Sequence, residues 1–319
     1  MKKVLIAIGG NALFDETGGN NILPAAVENV CRQIVGVVQQ GYFPIITFGN
    51  GPQVGNLLNI AETTAMLFSK PIKLDTCVSW TQGELGYHIA KELRSLFAKH
   101  HIELPVVAMN TTVEVDPNDR AFEYPAKPIG RFISAEDSQK LFAEKGWIVG
   151  PDANRGHRRM VPSPAPLNIQ ELDAIRHLME KEIVTLCCGG GGIPVTNTGE
   201  YYKGLEAVID KDYTSCLLAK ELQIPTLVIC TNIDHVYLNF GKPDQKALKR
   251  MPLPQAQAYL EDGQFSKGSM GPKVTALIDY VQAGGERALT CRLDQLIPAL
   301  AGDAGTEIYA GKPGDLEGG

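Results

Sequence analysis

The chain has no apolar run of membrane-spanning length, no block of basic residues, no Cys-x-x-Cys pair and no histidine spacing suited to a metal. Each absence removes a class of protein. A transmembrane helix needs about 20 mostly apolar residues in a row. The first apolar run, Val4–Ile8, stops at Gly9-Gly10 and is also too short for a secretion-signal core. Lys plus Arg number 30 against 36 Asp plus Glu, a net charge of −6. Neither nucleic acid nor an anionic membrane is therefore expected as the main partner. The seven cysteines (31, 77, 187, 188, 216, 230, 291) lie mostly in apolar runs. They read as buried free thiols in a reducing cytoplasm, with a reactive thiol left open at Cys187-Cys188, just before a glycine run. No Gly-x-Ser-x-Gly elbow occurs. Zinc sites and serine hydrolysis drop out, and no metal held by protein ligands is expected.

Two nucleotide-binding signatures are missing as well. No Gly-x4-Gly-Lys-Ser/Thr loop exists, since Gly241-Lys242 and Gly311-Lys312 both run into proline. Gly49-Asn-Gly-Pro-Gln-Val-Gly55 has one residue too many before its last glycine for a dinucleotide fingerprint, and Pro52 stands where that helix would begin.

What is present is alternation. Continuous apolar runs at Val4–Ile8, Pro44–Phe48, Leu104–Met109, Ile183–Cys188, Pro225–Cys230, Arg287–Thr290 and Glu307–Tyr309 read as strands. Between them lie helical patterns over 24–40, 54–68, 75–99, 169–180, 212–222 and 274–282, the first marked by Val27, Val30, Ile34 and Val38. Apolar strands without alternation, separated by helices, predict an α/β fold whose mainly parallel sheet is covered on both faces. In such sheets ligands bind beyond the carboxyl ends of the strands. Glycine-rich turns follow residues 8, 48 and 188, which places one site there. The stretch from about 113 to 166 breaks the rhythm, with seven prolines among Asp, Arg and Gly. Its aromatics Phe122, Tyr124, Phe132, Phe142 and Trp147 argue for order, and it is expected to be an inserted, lid-like subdomain.

The chemistry concentrates in a few motifs. Gly9-Gly-Asn-Ala12 and Gly49–Gly55 let the backbone approach a ligand closely, with amides able to cradle an anion; the first is equally a plain strand-to-helix turn. Gly189–Gly192 costs enough chain entropy to require a close ligand or close packing. Asp210-Lys211-Asp212 precedes a helix, and Asp212 reads as a helix cap, as an anchor for two lysines, or both. Lys273, after Gly268-Ser-Met-Gly-Pro, is the second lysine at a helix start. Two fixed cations at helix N-termini suit a moving phosphoryl group.

At these residues the chain resembles the carbamate kinases of the amino-acid-kinase superfamily, nearly end to end. The likeness runs through Gly9–Ala12, Gly49–Gly55, Leu74–Val78, Thr81–Gly83, Lys127-Pro-Ile-Gly130, Val161–Pro164, Gly189–Val195, Glu206–Asp212, Phe240–Pro243 and Gly268–Lys273. It implies a three-layer αβα sandwich formed by one domain over 1–319, with the lid at about 113–166 protruding from it. It also implies a homodimer, and reversible phosphoryl transfer between carbamoyl phosphate and ADP giving ATP and carbamate, with Mg²⁺ carried by the nucleotide. By the same resemblance Lys211 and Lys273 would neutralise the moving group, Asp212 would orient them, and Lys127 would reach in from the lid. Gly9, Gly10, Asn11, Gly49, Asn50 and Gly51 would bind the small substrate; Thr231, Asn232, Asp234, Tyr237 and Met270 would lie near the nucleotide. The chain departs from the family pattern at Phe48 (usually histidine), Asn154 and Asn232 (both usually glycine). A same-fold kinase for another small acid or phosphate, and a non-catalytic, binding or regulatory relative, stand as the competing readings.

Overall fold

The computed structural model describes residues 1–14, 22–51, 53–64, 72–151, 156–266 and 270–311. Pro52, Asp152–Arg155, Lys267–Ser269 and Lys312–Gly319 lie outside the described residues, as does the side chain of Asn11.

The chain opens with β1 (Lys2–Ile8), α1 (Pro24–Gln39), β2 (Tyr42–Phe48), α2 (Gln53–Thr63), α3 (Leu74–Lys99) and β3 (Val106–Ala108). A middle section holds β4 (Thr112–Val115), β5 (Lys127–Ile133), α4 (Ala135–Lys145), β6 (Ile148–Pro151), β7 (His157–Val161) and β8 (Pro166–Ile169). The chain continues through α5 (Leu172–Glu180), β9 (Val184–Cys187), β10 (Ile193–Asn197), β11 (Tyr202–Gly204), α6 (Lys211–Glu221) and β12 (Thr226–Thr231). It closes with β13 (Val236–Leu238), β14 (Lys246–Leu248), β15 (Arg250–Pro252), α7 (Leu253–Glu261), α8 (Met270–Gln282), β16 (Arg287–Arg292), α9 (Leu296–Ala301) and β17 (Thr306–Tyr309).

Eight strands form the central sheet in the order β15-β17-β16-β12-β1-β2-β9-β3. From β16 to β3 every neighbour is parallel; β17 runs antiparallel to β16, and β15 pairs parallel to β17. Val4–Ile8 are wholly buried, because helices cover both faces, and this is why the run shows no polar alternation. On α1 the buried residues include Val27, Val30, Ile34 and Val38, the expected spacing, and this helix packs on α3 and α9. On the other face α6 packs on α8 and against β1 and β12.

Short turns carry β3 into β4 and β9 into β10, and β4 and β10 pair in parallel within a second sheet, β11-β10-β4-β8. The proline-rich stretch is more regular than its composition suggests. Its ends, β4 and β8, belong to the second sheet, while β5, β7 and β6 form a separate antiparallel sheet with α4 beside it. Ser134 caps α4 by accepting a hydrogen bond from the Asp137 amide at 3.0 Å. Two expected boundaries shift. Ile169 ends β8, and the helix expected from it starts at Leu172. The last long helix begins at Met270, so Lys273 sits within its first turn. All seven cysteines are buried and free. No described helix is long and apolar enough to cross a membrane.

Candidate active site

The glycine turns that end β1, β2 and β9 stand side by side, because those strands are neighbours in the sheet. They interlock. A methyl group built on Gly10 would meet the Gly51 nitrogen at 2.6 Å, and one on Gly49 the Gly10 nitrogen at 2.8 Å. Only hydrogen fits at these positions, so the two turns form one backbone cradle. The third turn closes beneath them. Gly191 has φ +89°, and a methyl there would overlap the Ile209 carbonyl just before α6. A side chain at Gly191 is excluded twice, by conformation and by space.

Polar side chains hold this turn from below. Gln82, buried on α3, donates Nε2 to the Gly189 carbonyl at 2.9 Å and to the Thr111 carbonyl at 3.2 Å, and its Oε1 accepts from the Thr111 amide at 2.7 Å. Thr111 Oγ1 accepts from the Cys188 amide at 3.0 Å. From α6, Thr214 donates to the Gly191 carbonyl at 2.8 Å, and Ser215 shares a 2.6 Å hydrogen bond with Thr47 of β2. Gln82 and Thr111 were not expected as site residues. The only sequence signal for Gln82 is the Thr81-Gln-Gly83 match, which carries no chemistry until the turn is folded over it, and Thr111 lies in none of the motifs. Phe48 does not face the cradle: its ring is buried, and a methyl on Gly189 would meet it at 2.6 Å. It fills the floor of the turn. Cys188 is fully buried, and its hydrogen bond with Cys187, followed by burial itself, pushes the thiol up. That disfavours a thiolate at Cys188.

Asn50 lies in the cradle itself. It is 7% exposed, a methyl on Gly190 would meet its side chain, and its Nδ2 is buried with no hydrogen-bond partner among the described residues. A buried amide donor left unpaired costs about 1–3 kcal/mol, which a ligand acceptor would recover.

Beside the cradle stands the α6 N-terminus. Asp210 is its cap, accepting from the Asp212 amide at 2.9 Å. Capping therefore belongs to Asp210, and the Asp212 side chain is free for the second expected role. Its two oxygens take the two lysines: Oδ1 is bonded by Lys211 Nζ, and Oδ2 by Lys273 Nζ at 3.0 Å. Asp212 is 1% exposed. Burial pushes its pKa up, but Lys211 and Lys273 outweigh burial and hold the carboxyl well below the usual carboxylate range. Burial pulls Lys273 down, yet Asp212 and then Asp210 leave it above its ordinary value. Both lysine side chains are thus fixed on one carboxylate. Lys211 also reaches the cradle, since a methyl on Gly49 would touch its Cδ at 3.3 Å. The third lysine arrives from β5, with Lys127 Nζ 2.5 Å from Asp210 Oδ2. Lys127, Lys211 and Lys273 are therefore linked through two aspartates two residues apart.

Of the residues expected near the nucleotide, Thr231, Asn232, Asp234 and Tyr237 gather at the end of β12, next to β1. A methyl on Gly9 would meet the Cys230 carbonyl at 3.4 Å, which ties the first glycine turn to this end. Thr231 ends the strand, Asn232 is exposed, and Tyr237 donates to Asp234 Oδ1 at 2.7 Å. That hydrogen bond holds the Asp234 carboxyl below its ordinary value and Tyr237 above it. Met270 opens α8, three residues before Lys273. Among the described residues no three His, Cys, Asp or Glu side chains converge to hold a metal.

Fixed cations on a buried carboxylate, at a helix N-terminus and beside a backbone cradle, suit phosphoryl transfer. The model of the amino acid kinase family matches residues 2–290. The chain belongs to the amino acid kinase family. It is 42% identical to a carbamate kinase of Thermococcus kodakarensis over 97% of this chain and 99% of that protein. It is 39% identical to carbamate kinase 2 of Enterococcus faecalis over 95% and 97%. Among solved structures, the carbamate kinase from Giardia lamblia bound to AMP-PNP superposes with a TM-score of 0.88 at 36% identity, covering 97% of this chain and 98% of that one. A UMP kinase from Bacillus anthracis shares the fold at a TM-score of 0.54 and 15% identity.

Proposed function

We propose that the protein is a carbamate kinase, moving a phosphoryl group reversibly between carbamoyl phosphate and ADP. In the ATP-forming direction an ADP β-phosphate oxygen bonds to phosphorus. The bond from phosphorus to the carbamoyl oxygen breaks, and carbamate leaves as an anion that falls to ammonia and carbon dioxide. Neither nucleophile nor leaving group needs a proton moved, so the work is neutralisation of charge and alignment. The observation that carries the reading is Asp212, buried and bridging Lys211 and Lys273 beside the glycine cradle. In this reading the two lysines neutralise the moving group, Asp212 orients them, and Lys127 reaches the same group from β5. The backbone of Gly9–Asn11 and Gly49–Gly51 receives the small substrate, and the Asn50 amide donates to its carboxyl end. Thr231, Asn232, Asp234, Tyr237 and Met270 flank the nucleotide.

Mg²⁺ belongs to this reading as an ion brought on the nucleotide's phosphates. Its coordination by phosphate oxygens and water fits a site whose described carboxylates form no cage. Bound there, it supplies further neutralisation of the phosphate charge. We read the section carrying β5, α4, β6 and β7 as a lid over a domain formed by the whole chain, in a cytoplasmic enzyme. A homodimer completes the proposal. The open edge of the central sheet at β3, with Trp80 and Tyr87 exposed on the adjoining α3, supports it.

The test is ATP formation from carbamoyl phosphate and MgADP, followed with luciferase. Wild-type protein should make ATP rapidly. Lys211→Ala and Lys273→Ala should each lower turnover by about 10²–10³ while nucleotide still binds. Asn50→Ala should raise KM for carbamoyl phosphate about tenfold or more, leaving KM for ADP unchanged. No ATP from folded, nucleotide-binding protein would refute the carbamate reading and favour another small acid.

A further inference from the structure

The section that carries Lys127 is held at a second place, remote from the lysines. On β7, Arg159 Nη1 lies 3.1 Å from Glu62 Oε1 in the last turn of α2, and its guanidinium stacks over the Trp147 ring at 4.3 Å. Trp147 stands between α4 and β6, in the same section as β7. One planar cation therefore ties α2 to two parts of this section. Lysine cannot reproduce a fork and a stack at once. Nearer the site, the first turn of α2 touches β5 backbone to backbone: a methyl on Gly55 would overlap the Gly130 nitrogen. Arg158 donates Nε to the Gly130 carbonyl at 2.8 Å, which fixes that contact from the β7 side. Arg159 pairs in register with Ile129, and Val161 with Lys127, so Arg159 is two β-pairs along from the lysine's strand position. Arg159 also feels a second carboxylate, Glu206, which accepts from the Leu74 amide at 3.3 Å four residues before Asp210.

The lever is α2. Its N-terminus follows directly from the Gly49–Gly51 cradle, its first turn carries Gly55, and its last turn carries Glu62. At 1.5 Å per residue, its 11 residues span about 16 Å. The same rigid element touches the cradle at one end and the latch at the other.

We propose that Arg159 is a positioning residue, latching β5, β6 and β7 onto α2 through Glu62 and Trp147 and so setting where Lys127 stands over the transferred phosphoryl group. This rests on the carbamate-kinase reading for its kinetic consequence and on geometry alone for its structural one. The test uses the full-length protein with Arg159→Gln, Glu62→Gln and Arg159→Lys, each with and without Lys127→Ala. Arg159→Gln should lower kcat about tenfold or more with KM for ADP unchanged; with Lys127 already removed it should change kcat less than about twofold, because coupled residues are not additive. Glu62→Gln should behave alike, and Arg159→Lys should recover part of the rate. Equal effects of Arg159→Gln with and without Lys127 would overturn the proposal. A readout independent of activity separates it from the parent reading. Hydrogen exchange should accelerate in β5 and β7 of Arg159→Gln and Glu62→Gln, with the central sheet unchanged. In a Trp80→Phe background, the emission of Trp147 should shift. Unchanged exchange and emission would refute the latch even if carbamoyl phosphate proves not to be the substrate; accelerated exchange would uphold it in the same circumstance.

Discussion

At the scale of residues, the site is an exercise in holding charge still. Asp212 is the keystone: a carboxylate out of water would be protonated, yet two ammonium groups keep it ionised. Its folded pKa lies below its unfolded value. The stability it contributes is therefore fully present above about pH 4, the unfolded value, and is lost as pH falls further toward the folded pKa. Asp212→Asn should destabilise the protein at pH 7 by roughly 2–3 kcal/mol, since it leaves two partly buried lysines without their partner. Thermal unfolding of both proteins across pH should show the gap in Tm closing as pH falls below about 4. A gap constant down to pH 2 would mean that Asp212 acts by packing rather than by charge. Asp210-Lys211-Asp212 was legible as dense charge before a helix, but its division of labour was not. Either aspartate could cap; which one does follows from the backbone angles at Asp210.

At the scale of elements, close backbone approach decides the arrangement. The turns after β1 and β2 stood out in sequence as glycine clusters, and their meeting follows from strand order. Gly55 and Gly130 were legible only as members of two separate motifs. Folding brings them into contact, which excludes a side chain at Gly55, while a φ of +70° favours glycine at Gly130; neither needs a ligand to explain it. Gly55→Ala should push α2 and β5 apart. The expected result is a drop in kcat resembling that of Lys127→Ala, with the far-ultraviolet circular dichroism unchanged. Full activity in this variant would show that the contact does not set the lysine. The proline-rich stretch was read for its aromatics as ordered, but its strands escaped notice. They are short, mostly half-exposed, and paired with one another rather than with the core, so they carry no continuous apolar run.

At the scale of the whole molecule, one edge of the sheet collects everything. The carboxyl ends of β12, β1, β2 and β9 are adjacent, and they present in order the Thr231 end, the first glycine turn, the second and the third. Helices α6 and α8, packed together on one face, bring Lys211 and Lys273 to the same carboxylate from positions 62 residues apart. Because the described residues hold no metal cage, removal of divalent ions should affect catalysis alone. With EDTA, ATP formation should stop while the Tm without nucleotide stays put. A marked fall in Tm would reveal a structural ion.

By itself the sequence determined the fold class, the buried strands and α1's inward face, because burial on both faces or on one helical stripe leaves a local periodic record. It also marked the chemistry, since lysines, aspartates and glycines at strand ends are local signals. Only the tertiary structure decided which aspartate caps and which clamps, that Gln82 and Thr111 brace the third turn, that Phe48 turns inward to its floor, and that Arg159 joins α2 to the strands beside Lys127. The cap is set by the local backbone at Asp210; the others depend on contacts between residues distant in the chain, made by packing and hydrogen bonds that leave no trace in the spacing of either partner.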